Sequence, residues 1–352
     1  MIIKRLLLTA VAIAALGSPA LAQSYPQTVV PQGKGPYTFP EGYRTDFPKM
    51  EFTVAEKYAA NIFVLRGNEG VDMTHPEAGG GRSAVLFGPD GALVVDTEYP
   101  QTGDKQLKAI RAFTNAPIKY VINTHVHPDH SGNNALFAKE GAKIIASENL
   151  KMEMMPNPAG PPPASAPDPT SYPTQTYAFD PANPGKPAMT LTLNGETVDV
   201  IPLGPGHTGG DSAIRFQKAN VIMFGDVIRN FGGPFIDQGN GGSIQGVVAS
   251  IDLLSKLADD KTTLAPGHGA LMHKSDLVPL RAMFVDLLAK SDALVKAGKT
   301  MDEVKAADLT KPYENVWPGY NKAASDRFVE ELYLEAKGLP PIVNGRRAMP
   351  RL

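Results

Sequence analysis

One eight-residue stretch, Asn123-Thr124-His125-Val126-His127-Pro128-Asp129-His130, constrains this chain more than any other. Four of its side chains, spaced His-x-His-x-Asp-His, offer imidazole nitrogens or carboxylate oxygens. Those are the donors that zinc and other borderline divalent metals take. Three of the chain's seven histidines fall between positions 125 and 130, a density that a solvated surface loop does not call for. The preceding run, Ile118-Lys119-Tyr120-Val121-Ile122, is β-branched and aromatic and reads as a buried strand; Gly132 to Lys139 reads as a helix. The loop therefore sits at the carboxyl end of a strand, where open α/β sheets place their sites. Alternate residues of an extended stretch share a face, so His125 and His127 point at one metal. Asp129 and His130 follow the turn and reach a neighbouring one.

Three more donors lie downstream, each in a glycine-containing turn after a strand-like run. His207 sits in Gly204-Pro205-Gly206-His207-Thr208-Gly209-Gly210-Asp211, Asp226 follows Val221-Ile222-Met223-Phe224-Gly225, and His268 sits in Ala265-Pro266-Gly267-His268-Gly269. Glycine lets the backbone turn sharply and bring a short side chain to a fixed point. One such turn is weak support; three, downstream of the His-rich loop, form a joint signal. The chain has no Cys, which removes thiolate ligands and Cys-His catalysis and leaves His and carboxylates for any metal site. With 352 residues it can bury a sizeable core without cross-links. Lys plus Arg number 34 against 36 Asp plus Glu, a net charge of −2. That balance argues against a nucleic-acid partner and points to a small-molecule substrate.

The rest of the chain divides by pattern. Residues 1–22 have basic Lys4 and Arg5, an apolar run from Leu6 to Leu16 and a small-x-small Ala20-Leu21-Ala22. This is the pattern of a secretory signal peptide, so the mature chain is expected in the periplasm or secreted, free of the membrane. Residues 23–57 read as an extended arm, and residues 58–274 as an α/β domain whose first strand lies in Tyr58–Arg66. Gly67 to Arg82 is a loop. Ser83–Phe87 and Ala92–Asp96 form a hairpin across Gly88-Pro89-Asp90-Gly91. A helix covers Thr102–Phe113, a strand Lys143–Ala146, and Ser147 caps a helix towards Met155. Residues 156–187 hold 11 Pro in 32 positions and read as a long irregular insertion. Strands are expected at Met189–Leu193, Glu196–Ile201, Ser212–Gln217 and Val221–Phe224, the first two joined by Asn194-Gly195. A helix over Ile244–Leu257 and a strand over Thr262–Ala265 close the domain. Residues 275–352 are a helical extension, with a last helix over 321–337. Each half runs strands, ligand loop, helix, which suggests a layered αββα arrangement.

The ordered set of motifs resembles the metallo-β-lactamase superfamily over residues 58–272. The resemblance implies a four-layer αββα sandwich and two divalent metal ions, with zinc the expected metal. Carried over by position, His125, His127 and His207 would hold the first ion and Asp129, His130 and His268 the second, with Asp226 bridging both. Asp129 would also act catalytically, orienting water or receiving its proton. Two such ions carry four positive charges against three from Asp129, Asp226 and a bridging hydroxide, leaving roughly one to stabilise an oxyanion. The implied reaction is hydrolysis of an ester, lactone, thioester or amide, β-lactams among the amides. Asp226 stands where one lactamase subclass has Cys, so the Asp-bridged thioesterases and lactonases fit better than a dedicated β-lactamase. A second reading is an oxidoreductase resembling the persulfide dioxygenases, which share the fold and use one iron.

Arg229, three residues past Asp226, is placed to grip an anionic group such as a carboxylate. The pocket walls are expected in Gly67–Arg82, the Pro-rich 156–187 and Val227–Gly242, the last with Phe231, Phe235 and Asp237. Thr124, Thr208, Asp211 and Ser212 are candidates for orienting the imidazoles. His75 and His273 stay outside the site.

Overall fold

Several short segments are apolar throughout and buried throughout, which calls for cover on both faces. In Ala92–Val95 all four residues are inaccessible to solvent, as in strands sandwiched between layers. A computed structural model describes residues 47, 48, 50–67, 80–155, 168–229, 233–314 and 321–339, and the backbone of 342–343 and 346–347.

The first sheet has seven strands in sequence order: β1 (Phe52–Ala59), β2 (Ile62–Gly67), β3 (Ser83–Leu86), β4 (Ala92–Val95), β5 (Ile118–Ile122), β6 (Lys143–Ser147) and β7 (Gln175–Tyr177). Neighbours are antiparallel as far as β4 and parallel from there to β7. The second sheet has the order β12 (Thr263–Ala265), β11 (Val221–Met223), β10 (Asp211–Phe216), β9 (Glu196–Gly204), β8 (Met189–Leu193). Only its β11–β12 pair is parallel. Asn194 and Gly195 both take positive φ, 52° and 80°. That is the pattern of the tight turn that matches strand twist, and it joins β8 to β9 as the sequence predicts.

Eight helices are described: α1 (Gly103–Arg111), α2 (Pro128–Ser131), α3 (Asn134–Lys139), α4 (Glu148–Met154), α5 (Ile244–Leu257), α6 (Leu277–Lys296), α7 (Met301–Ala306) and α8 (Lys322–Ala336). Among the described residues none is long and apolar enough to cross a membrane. Ile110 of α1 and Phe137 of α3 pack with Val85, Val94 and Val121 on the outer face of the first sheet. Val64, Leu86 and Val95 meet Val198, Val200 and Ile214 between the sheets. Ile251 of α5, Leu280 and Leu287 of α6 and Phe328 of α8 pack with Leu203 and Ile222 of the second sheet. The expected αββα layering is therefore present. Ile122, fully buried one residue before the ligand loop, anchors that loop; its loss to Ala should cost about 2–5 kcal/mol.

Four elements differ from expectation. Strand β1 lies largely in the stretch assigned to an extended arm; it is an edge strand exposed at four of its eight positions and buried only at Phe52, so it lacks the apolar run that marks its neighbours. The Pro-rich 156–187 is not irregular throughout: Gln175–Tyr177 contains no Pro and pairs with β6 at the sheet edge, burying Tyr177. The helix expected over Gly132–Lys139 is present as α3, and a separate short helix, α2, starts at Pro128 inside the ligand loop, where proline suits the first helical position. Asp129 and His130 are thus helical. Helix α7 was not expected, although Thr300 and Glu303 cap it reciprocally. The expected signal segment 1–22, residues 23–46 of the arm, 68–79 of the first loop with His75, and 156–167 of the insertion lie outside the described residues.

Candidate metal centre

Parallel pairing of β4 with β5 sets Val95 beside Ile122, so the residues that follow each strand emerge together. Asp96 N–H donates to Ile122 O at 3.0 Å. Its carboxylate accepts from Thr124 N–H and Thr124 Oγ1–H, both at 2.8 Å. Asp96 takes φ 64°, a left-handed conformation uncommon outside glycine and found at sites where the surroundings over-determine it. Asn123 closes the far side of the loop, donating to His130 O at 2.9 Å. Ser131 Oγ–H donates to Val126 O at 2.7 Å.

The seven candidate donors come together in three overlapping groups: His125 with His127 and His207, His125 with His130 and Asp226, and Asp129 with His130 and His268. Within each group the donor atoms lie within 4.8 Å of one another. Four of the five rings turn one nitrogen outward to a fixed partner. His130 Nδ1–H donates to Asp96 Oδ2 at 2.8 Å, His127 Nε2–H to Asp237 Oδ2 at 2.8 Å, and His207 Nδ1–H to Phe235 O at 2.7 Å. His125 Nδ1 lies 3.1 Å from Thr124 Oγ1, whose own proton goes to Asp96. The opposite nitrogens are left facing the centre: His207 Nε2 and His127 Nδ1 stand 2.9 Å apart, and His130 Nε2 and His268 Nε2 3.4 Å apart. Such outward hydrogen bonds fix the tautomer and orientation of ligating histidines.

Two observations fit this centre to cations. His125 Nε2 and Asp226 Oδ1 are buried polar atoms with no hydrogen-bond partner, a costly arrangement unless something else satisfies them. A Cβ on Gly267 would lie 2.1 Å from Asp226 Oδ1 and 2.7 Å from His130 Cε1, so only glycine lets this backbone reach the donors.

Electrostatics divides the rings. Burial, reinforced by the neighbouring His130 and His207, holds His125 well below its usual pKa, and burial with His127 takes His207 down to about 3. Both are neutral ligands at neutral pH. Burial would also depress His130, but the charges of Asp129, Asp226 and Asp96 push it up to about 10. Burial opposes ionisation of Asp129, yet His130 and His268 hold it below the carboxylate range. Among the described donors the His127 and Asp129 side chains are the most exposed, at 16% and 12%.

The proposed orienting residues are only partly correct. Thr124 meets His125. Asp211 and Thr208 fix the turn rather than an imidazole: Asp211 accepts from His207 N–H at 2.6 Å and from Thr208 Oγ1–H at 2.6 Å, and burial pushes Asp211 up to about 7. Ser212 touches no ligand ring and partners Tyr177 OH at 2.9 Å. Asp96 and the Phe235 carbonyl were missed. Asp237, read as pocket wall, is the partner of His127. Phe235 stacks on His127, with centroids 5.8 Å apart and planes 17° apart. His273 belongs to none of the donor groups, and Phe231 lies outside the described residues.

The family model of the metallo-beta-lactamase superfamily matches residues 77–268. A hydroxyacylglutathione hydrolase from a Polaromonas species is 27% identical over 265 residues, covering 74% of this chain and 88% of the relative. The α subunit of a 2,4-dinitroanisole O-demethylase from a Nocardioides species is 26% identical over 155 residues, and the match spans 44% of this chain and 42% of that one. A metallo-beta-lactamase from Pontibacter korlensis shares the fold at a TM-score of 0.52 and 17% identity, over 67% of this chain and 99% of that structure. The matched segment contains all four strand-end turns that carry the donors. The chain belongs to the metallo-β-lactamase superfamily.

Proposed function

We propose that this protein is a two-metal hydrolase of the Asp-bridged kind, acting on an ester, lactone, thioester or amide, and that it works outside the cytoplasm. One observation carries the two-metal reading: Asp226 groups with one histidine from each of the other two triads, His125 and His130. A carboxylate so placed could be shared between two cations. His125, His127 and His207 would hold one cation, Asp129, His130 and His268 the other. Two bound divalent cations, zinc by the nature of the donors, would supply a water nucleophile at neutral pH and polarise the scissile carbonyl. The chain's own residues do the rest. The outward hydrogen bonds of His125, His127, His130 and His207 fix the donor geometry before substrate arrives. Asp129 would orient the attacking water or receive its proton. The relative matched over most of its length is named for a thioester hydrolase, which favours thioesters over β-lactams. Arg229, beyond the bridging Asp226, is the candidate grip for an anionic substrate group.

The direct test is a panel of thioester, acyl-homoserine lactone, phosphodiester and β-lactam substrates with zinc-loaded protein. His127→Ala should abolish metal-dependent hydrolysis while its metal-free form melts like the metal-free native chain; retained turnover would refute the assigned centre. Arg229→Ala should raise KM several-fold for an anionic substrate and leave a neutral analogue alone. Equal effects on both would remove the anion role.

A further inference from the structure

We propose that Arg82, braced by Glu56, is a positioning residue that sets His268 in place and thereby controls affinity at the second metal subsite. The inference rests on the two-metal reading above. Arg82 is an arginine with 1% exposure, inside a molecule that leaves most cations at its surface. All three of its guanidinium nitrogens are engaged. Nε–H donates to both Glu56 oxygens at 3.2 and 3.1 Å, and Nη2–H to Glu56 Oε1 at 2.9 Å. Nη1–H donates to Pro266 O, and Nη2–H also to Gly269 O at 3.0 Å. These two carbonyls stand on either side of His268, so one planar group clamps both arms of the turn that presents it. Glu56 is itself held by Tyr58 OH at 2.7 Å. The clamp runs from β1 in the first sheet to the turn after β12 in the second.

The same short segment touches the other donors of that subsite. Gly81 N–H donates to Asp129 O at 3.4 Å. A Cβ at Gly81 would fall 2.5 Å from His130 Cε1. Residues 81 and 82 thus bear on Asp129, His130 and the His268 turn. Among the described residues neither hydrogen-bonds to His125, His127 or His207. A lysine could not replace the arginine, because one ammonium cannot meet a carboxylate and two separated carbonyls in a single plane. Loosening this clamp should therefore weaken one subsite and spare the other.

The test is calorimetric titration of the demetallated full chain with zinc, for the native sequence, Arg82→Met, Arg82→Lys and Glu56→Gln. The native chain should take up two ions. In Arg82→Met one of the two binding events should lose about 10–100-fold in affinity, the range for removing an outer support of a metal ligand, while the other is unchanged. Arg82→Lys should fail to restore it, and Glu56→Gln, which keeps the arginine, should shift it in the same direction by less. If Arg82→Met does not melt cooperatively, Glu56→Gln decides alone. Two ions in every variant at native affinities, or an equal fall at both subsites, would overturn the inference while leaving the two-metal reading intact. A native chain that takes up a single ion would overturn both.

Discussion

At the residue scale the centre depends on Asp96 as much as on any donor. Its carboxylate accepts from His130 Nδ1–H and from both groups of Thr124, and Thr124 in turn meets His125. One side chain thus aligns a ring from each proposed subsite. Asp96→Asn keeps the volume but gives one of those donors an N–H to face. Metal affinity should fall about 10–100-fold, measured by competition with a chromophoric chelator; native affinity would show that Asp96 is only structural. The donors were legible because residue type and strand-end spacing reveal them locally. Asp96 was not, because it lies 34 positions from the ring it orients and reaches it only through the parallel pairing of β4 with β5. The Phe235 carbonyl carries no sequence signal at all, since any residue could supply it.

At the scale of elements, the C-terminal helix α8 supports the segment that holds two of the rings. Residues 233–240 supply the Phe235 carbonyl to His207 and the Asp237 carboxylate to His127. Helix α8 pins this segment from behind: Arg327 lies 4.9 Å over the Phe235 ring and donates to Pro234 O at 3.1 Å, and Gln238 Nε2–H donates to Glu331 O at 3.0 Å. Glu335 accepts from the free N–H groups of Ile244 and Gln245 at the start of α5, at 2.7 and 2.9 Å, where a carboxylate is favoured. Burial pushes the Glu331 carboxyl from 4.5 up to about 8, with Arg327 pulling the other way. Between those values the folded chain holds a proton that the unfolded chain has lost, so this group's contribution makes stability fall as pH rises. Glu331→Gln should melt progressively higher relative to the native protein as pH goes from 4.5 to about 8. A difference that does not change with pH would contradict the burial argument. The extension was legible as helices from their 3.6-residue periodicity. Its support for the centre was not, because those contacts span 90 to 93 positions. Strand β7 escaped notice because the prolines around it outweigh three ordinary residues.

At the scale of the whole molecule, the centre exists only where the two sheets meet. The first sheet sends His125, His127, Asp129 and His130 from the end of β5. The second sends His207 after β9, Asp226 after β11 and His268 after β12. Neither sheet alone holds a complete triad of either proposed subsite, so metal binding and the packing of the sandwich are linked. The layering was legible from the repeated order of strands, ligand loop and helix, whereas the clamp across the sandwich at Arg82 depends on a pairing of sheets that no local pattern encodes. Whether seven donors hold two cations for hydrolysis is decided by elemental analysis of the purified protein. About two zinc ions per chain are expected, the number set by two three-donor groups sharing a carboxylate. A single iron per chain with consumption of oxygen, or a protein that takes up no metal, would contradict two-metal hydrolysis.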